Sequence, residues 1–173
     1  MTNIALQIIQ VAKIIFVAMF FILQLNAQSD AEIKEFKTRA IEHMQAGRFG
    51  EAIDLLNKYI STNAREAEGY NLRAICFENR SQYQNAVLDF RRAIALEPSN
   101  NEYRENLSRV IGVWYPQLRK KIEGHKREIA IDPNNPFNYL EIGKSYRWME
   151  EWDLAEQWYD EYLLRDQNAS RMK

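Results

Sequence analysis

Two stretches of this 173-residue chain spell almost the same word. Residues 91–100 read RRAIALEPSN and residues 126–135 read KREIAIDPNN, with Ala93 becoming Glu128 as the main change at an apolar slot. Repetition at a fixed interval constrains a fold more than composition does, because every copy must pack against its neighbours in the same way. Extending the alignment puts Ala40, Ala74, Ser108 and Gly143 in one column, at steps of 34, 34 and 35 residues. His43, Phe77, Ile111 and Tyr146 form a second column, and Ala52, Ala86, Lys121 and Ala155 a third. Leu56, Phe90, His125 and Tyr159 follow, and Ala64, Pro98, Pro133 and Gln167 close each unit. Four units result, at about residues 33–66, 67–100, 101–135 and 136–169. The one-residue slip falls between Ile111 and Lys121, where VWYPQ carries Pro116, a natural place for a lengthened turn.

Each unit divides into two helical halves. Tyr139, Ile142, Gly143 and Tyr146 lie three and four apart, as do Ala86, Val87, Phe90, Ala93 and Ile94, so each set covers one helix face. Small residues let paired helices approach, and aromatic residues fill the space beside them. Polar stretches such as AGRFG, NRSQ and MEEW are expected to be the turns between halves. Asn135-Pro136 predicts a capped helix start, and Ser29-x-x-Glu32 predicts a capping box opening the first helix. The periodicity therefore predicts an all-α chain.

The pattern resembles the tetratricopeptide repeat. Unit four carries the resemblance most clearly, through Tyr139, Gly143, Tyr146, Ala155 and Tyr159. Unit two adds Tyr70, Ala74, Phe77, Ala86, Phe90, Ala93 and Pro98; unit one keeps Phe36, Ala40 and Ala52 but closes on Ala64. Unit three departs most, with Lys121 and Glu128 at small positions and His125 in an aromatic slot. The resemblance implies a helical solenoid of four helix-turn-helix units whose first helices line a concave surface for a peptide or helix. It would place Lys34, Lys37, Asn71, Ile75, Glu102, Arg109, Lys144, Arg147 and Trp148 on that surface. A subgroup of such arrays grips the C-terminal carboxylates of chaperones, but its Asn positions fall here on Ile41 and Leu72, so that mode is not expected.

Residues 1–27 follow other rules. IIFVAMFFIL, residues 14–23, is a ten-residue apolar run preceded by Lys13, and the first 29 residues hold no acid. A spanning helix needs about 20 apolar residues. Reaching that length from Ile4 means including Gln7, Gln10 and Lys13. The segment reads as a secretory signal peptide ending at Ala27, with an uncleaved membrane anchor as the alternative. Its LNAQ ending resembles bacterial export signals, and no Cys near the run marks a lipoprotein. Cleavage would leave 146 residues with 22 bases against 24 acids, which exerts no general pull on nucleic acid. Cys76 is the single cysteine, so no internal disulfide can form.

Motifs for chemistry are sparse. Gly143-Lys144-Ser145 echoes the end of a phosphate-binding loop, but Asn138 stands where the loop needs its earlier Gly. His43 and His125 occupy packing columns, without the spacing of a metal site. No catalytic residue, cofactor or metal is expected. The basic run Arg119–Arg127 reads as a solvated helix face, with Leu118, Ile122, His125 and Ile129 turned inward; a contact for an anionic partner is the other reading. Lys121 requires either wider helix spacing or an outward-reaching stem. In the last unit Leu154 aligns with Glu51, Asn85 and Lys120, and Trp158 with Leu55, Asp89 and Gly124. These read as outer columns, so Leu154 and Trp158, extended by Trp152, form a candidate docking patch for self-association or another protein. The expectation is an exported, non-catalytic protein-interaction scaffold of the bacterial envelope, periplasmic or secreted. The alternatives are a membrane-tethered adaptor and a small-ligand binder or enzyme.

Overall fold

The computed structural model describes residues 2–171, with side chains for residues 13, 15–24 and 31–166. Its elements are α1 (Thr2–Gln45), α2 (Phe49–Thr62), α3 (Ala67–Asn79), α4 (Tyr83–Leu96), α5 (Asn101–Ile131), α6 (Pro136–Trp148) and α7 (Trp152–Arg171). The all-α repeat architecture is as expected. The chain forms two compact lobes divided between Leu107 and Ser108.

The two helices of a unit are joined by a recurring turn. Gly47, Ser81 and Glu150 each adopt positive φ, at 72°, 58° and 60°. After them Arg48 N–H donates to His43 C=O, Gln82 N–H to Phe77 C=O and Glu151 N–H to Tyr146 C=O. This is a left-handed helix ending that satisfies carbonyls otherwise left without partners. Its acceptors are the very column of His43, Phe77 and Tyr146.

Unit three lacks this turn. The lengthened turn expected at Pro116 is absent, and α5 runs from Asn101 to Ile131 with Pro116 inside it. The repeat puts the left-handed residue at Tyr115 or Pro116. Proline is locked near φ −65°, and a bulky aromatic is strained at positive φ. The chain therefore continues helically past the proline. The third unit is one long helix where its sisters are hairpins.

Helix starts explain the repeated word. Its last letter is Asn100 in one copy and Asn135 in the other. Asn100 Oδ1 accepts from Glu102 N–H at 3.1 Å, and Asn135 Oδ1 from Phe137 N–H at 3.1 Å. The capping box expected at Ser29 does not open a helix, because α1 runs through that position without interruption. The expected cleavage point after Ala27 lies outside the described side chains.

Unit boundaries carry a second recurring contact. Tyr70 Oη donates to Ala64 C=O at 3.3 Å, and Tyr139 Oη to Pro133 C=O at 2.9 Å. At the matching position of unit three, Arg104 donates to Pro98 C=O. A residue on each of α3, α5 and α6 thus ties down the carbonyl six positions earlier, and two different side chains serve.

In the first lobe Ala40, Ala52, Ile53, Leu55, Leu56 and Cys76 form one buried cluster, with Phe36, Met44 and Phe49 packed on it. Ala67, Ala93 and Tyr103 form another with Tyr70, Ile94 and Leu96. The small columns are fully buried at Ala40, Ala52, Ala74 and Ala86, whereas Ser108 and Lys121 of unit three are exposed. Residues 15–17 and 19–23 of α1 are exposed around the whole helix. Among the described residues no helix is long and apolar enough to cross a membrane.

Candidate functional site

The expected partner-binding residues divide between the lobes. In the first, Lys34 and Lys37 rise from α1 beside an open hollow of ≈280 Å³ bordered by Ile33, Tyr59, Asn63 and Glu66. Lys37 Nζ donates to Glu68 at 2.6 Å and sits 5.8 Å from the centre of the Tyr59 ring. The Glu68 hydrogen bond raises the Lys37 ammonium above the usual lysine value, against an opposing push from burial. Lys37 is thus held in place, while Lys34 is exposed.

Asn71 does not stand on the surface. It is 4% exposed, and its Oδ1 accepts from Asn106 Nδ2 at 3.1 Å. The small column beside it draws α3 inward, so Asn71 links helices within the lobe.

In the second lobe Arg109, Lys144 and Arg147 are exposed. Lys144 Nζ donates to Glu141 at 2.8 Å, and Lys121 reaches the same carboxylate at 2.5 Å. Burial alone would raise the Glu141 carboxyl; the hydrogen bonds from Lys121 and Lys144 outweigh it and lower it. Lys121 therefore reaches outward, one of the two arrangements its column allowed. Gly143-Lys144-Ser145 lies inside α6, with Ser145 Oγ donating to Glu141 C=O at 2.8 Å, so no phosphate-binding loop forms there. Trp148 is half-buried, its ring 5.4 Å from that of buried Trp114, and its carbonyl accepts from Tyr115 Oη at 3.0 Å. The VWYPQ segment is thus a helical aromatic cluster that closes the end of α6.

The histidines pack as their columns suggested. His43 Nδ1 accepts from Arg48 Nε at 3.0 Å, beside the turn of unit one. His125 Nδ1 lies 2.9 Å from Oδ1 of buried Asn138, with the ring edge-on to Phe137. In the basic run, Arg119 pairs with Glu151, Lys121 with Glu141 and Lys126 with Glu123.

The expected docking patch is rearranged. Trp158 is half-buried with its ring 5.8 Å from Tyr139, on the first helix of its own unit. Its column faces inward in units one and two as well, since Leu55 is 8% and Asp89 7% exposed. Leu154 is 37% exposed and Trp152 61%. Two residues apart on a helix are turned by about 200°, so Trp152 lies on the far flank from Leu154. The three residues do not form one patch. Trp158, Tyr139, Gln157, Asp160 and Glu161 instead border an open hollow of ≈500 Å³.

One feature of the first lobe was not legible as a pair in the sequence. Arg73 Nε and Nη2 donate to the two Asp89 oxygens at 2.7 and 2.8 Å, and Nη1 donates to Asn57 at 2.7 Å. The Asp89 hydrogen bond raises the Arg73 guanidinium further, against burial. This fork joins α2, α3 and α4. A charge in a column that opens with Leu55 was the available signal.

No family model matches the chain. It is 38% identical over 71 residues, 41% of its length, to the tetratricopeptide repeat protein 36 homolog of Nematostella vectensis. It is 28% identical over 115 residues, 65% of its length, to a DnaJ homolog subfamily C member 7 homolog of Dictyostelium discoideum. The chain spans 39% and 20% of those relatives. Among solved structures, a crystal structure of MamA aligns at 22% identity and a TM-score of 0.47, covering 80% of this chain and 81% of that one. The first TPR of Spaghetti (RPAP3), solved with an HSP90 peptide, aligns at 19% identity and 0.47, covering 68% and 95%. Helix pairs recurring in one register, together with the repeat-named relative, give this chain a tetratricopeptide-repeat-like helical fold.

Proposed function

We propose that this chain is an exported, non-catalytic protein-interaction scaffold of a bacterial envelope. The observation that carries the binding reading is the division of labour on the first helices. Their small and aromatic faces are consumed by packing, while Lys34, Arg109, Lys144 and Arg147 project outward. Charged side chains on rigid helices suit recognition of an acidic or polar peptide. Export rests on the apolar run after Lys13 and its LNAQ ending.

The test is a comparative capture from envelope extract with wild type and the variant Lys34→Glu, Arg147→Glu. Loss of the proteins held by wild type, with helical content unchanged, supports the reading. Retention of the same proteins removes these faces from consideration. N-terminal sequencing checks export, with Gln28 as the expected first residue.

A membrane-tethered adaptor is favoured by one observation. The apolar residues between Ile15 and Leu23 are exposed on every side of α1, as suits a helix in lipid. An intact Met1 or Thr2 terminus in a carbonate-resistant membrane fraction would select this reading.

A further inference from the structure

The second helix of a repeat has one face for its own unit and another for the next first helix. The next-helix face is closed on α2, α4 and α5 and open on α7. Phe49 and Tyr83 are half-buried and Leu118 is buried; the matching residue on α7, Trp152, is 61% exposed. Ile53, Val87 and Ile122 are all buried, and their column continues as exposed Glu156. Ile60 is buried and Ile94 and Ile129 half-buried, whereas Leu163 is 49% exposed. Trp152, Glu156 and Leu163 therefore form one stripe along α7, apolar at both ends and anionic in the middle. Asp153 and Asp160 stand exposed beside it.

The repeat itself shows what fits such a stripe. On α2, Tyr59 faces Gly69 of α3 so closely that a Cβ there would lie 2.8 Å from the ring. One unit later the sizes are exchanged, with Ala93 and Tyr103 sharing a buried cluster. A large residue on the second helix thus takes a small one on the incoming helix, and the reverse. The column of Tyr59 and Ala93 passes through exposed Glu128 to Tyr162, which restores the large residue of unit one and so calls for a small one. Seven residues after Gly69, Cys76 packs in the cluster that contains Ile53. Against α7 that position meets Glu156.

We propose that this face of α7 docks an amphipathic helix of a partner protein. The helix presents Gly or Ala to Tyr162 and Leu163 and, seven residues later, Lys or Arg to Glu156. A carboxylate inside an apolar stripe rejects an apolar or acidic residue and rewards a base. A second copy is a poor occupant: α1 carries Glu35 and Glu42 at the positions of Gly69 and Cys76, which would set acid against acid.

The probe is a labelled, hydrocarbon-stapled peptide with the sequence of residues 67–79 and Cys76→Lys, titrated into the full chain by fluorescence anisotropy. Saturable binding is expected. It should weaken at least about tenfold with Cys76→Glu or Gly69→Trp in the peptide, the scale of a lost charged contact. The chain variant Glu156→Lys should reverse the preference between the Lys and Glu peptides. Trp152→Asp with Leu163→Asp should abolish binding while circular dichroism stays unchanged, since both side chains are exposed. Equal binding of the Lys and Glu peptides, or no binding at about 1 mM peptide, overturns the proposal. So does a wild-type dimer in sedimentation that Trp152→Asp dissociates, because the face would then belong to a second copy. None of these readouts involves Lys34 or Arg147, so failure here and failure of the proposed function are separable.

Discussion

The ring of Tyr159 lies against the backbone of Gly143. A Cβ added at that glycine would stand 2.8 Å from ring Cδ1 and 2.9 Å from Cε1. Two opposing effects meet in Gly143→Ala. Alanine raises helix propensity by about 0.8–1 kcal/mol, and overpacking costs about 1–3 kcal/mol. The clash is with ring atoms held between helices, so overpacking should win. Chemical denaturation should show net loss in Gly143→Ala, and recovery when Tyr159→Leu is added.

Ala86 is fully buried in the small column that Ala52 opens and Lys121 continues. Ala86→Leu should cost about 1–3 kcal/mol by overpacking. Lys121, in the same column, is exposed and holds Glu141, so Lys121→Ala should cost only up to about 1 kcal/mol. On the register alone Lys121→Ala would be neutral or stabilising. A gain in stability would mean that the Lys121–Glu141 pair contributes nothing. Glu141 titrates below its ordinary value of 4.5 in the folded chain. Its contribution is present above 4.5 and is lost as pH falls through the depressed value. Acid titration of Lys121→Ala should show a smaller loss over that window than wild type.

The Arg73–Asp89 fork should behave as a unit. Asp89→Leu leaves a largely buried guanidinium without its carboxylate and should cost about 2–3 kcal/mol. Adding Arg73→Met removes the orphaned charge and should restore most of the loss, since Leu55 already fills the same column in unit one. A double mutant no better than the single would show that the two residues are not coupled.

Burial pushes the Cys76 thiol from 9.0 up to about 11. The native thiol should resist alkylation at pH 8 and react on unfolding. A raised folded value means that stability present below pH 9 is lost as pH rises through 11. The stability difference between wild type and Cys76→Ala should therefore narrow between pH 8 and 11. Tyr59 and Tyr103 are also raised, mainly by burial, but they are common to both proteins and cancel in the difference.

Pro116 offers a test of the long helix. Inside a helix, proline removes a backbone hydrogen bond and crowds the preceding turn, at about 3 kcal/mol or more. Pro116 is exposed, so little packing is lost with it. Pro116→Ala should raise the denaturation midpoint. A hairpin turn at this position would instead lose order on the same substitution.

The sequence by itself determined the helical class, the register, and the paired helices of units one, two and four. Local spacing suffices for that: a column of Ala40, Ala74 and Gly143 tells which face is inward without knowledge of what it meets. Asn135 as a cap was readable for the same reason, because the cap bonds within its own turn. Three things depended on distant contacts. Whether Trp158 faced water was decided by Tyr139 on another helix, and the sister residues Leu55 and Asp89 gave the answer only once their burial was known. Asn71 left the surface for a contact with Asn106, 35 residues away, whose Nδ2 donates to its Oδ1. The turn of unit three failed because a left-handed backbone was required where the chain has Tyr115 and Pro116, a demand visible only after Gly47, Ser81 and Glu150 had shown what the turn is made of. Periodicity specifies which side of a helix must be covered; the tertiary structure decides what covers it, and on α7 it leaves that side open.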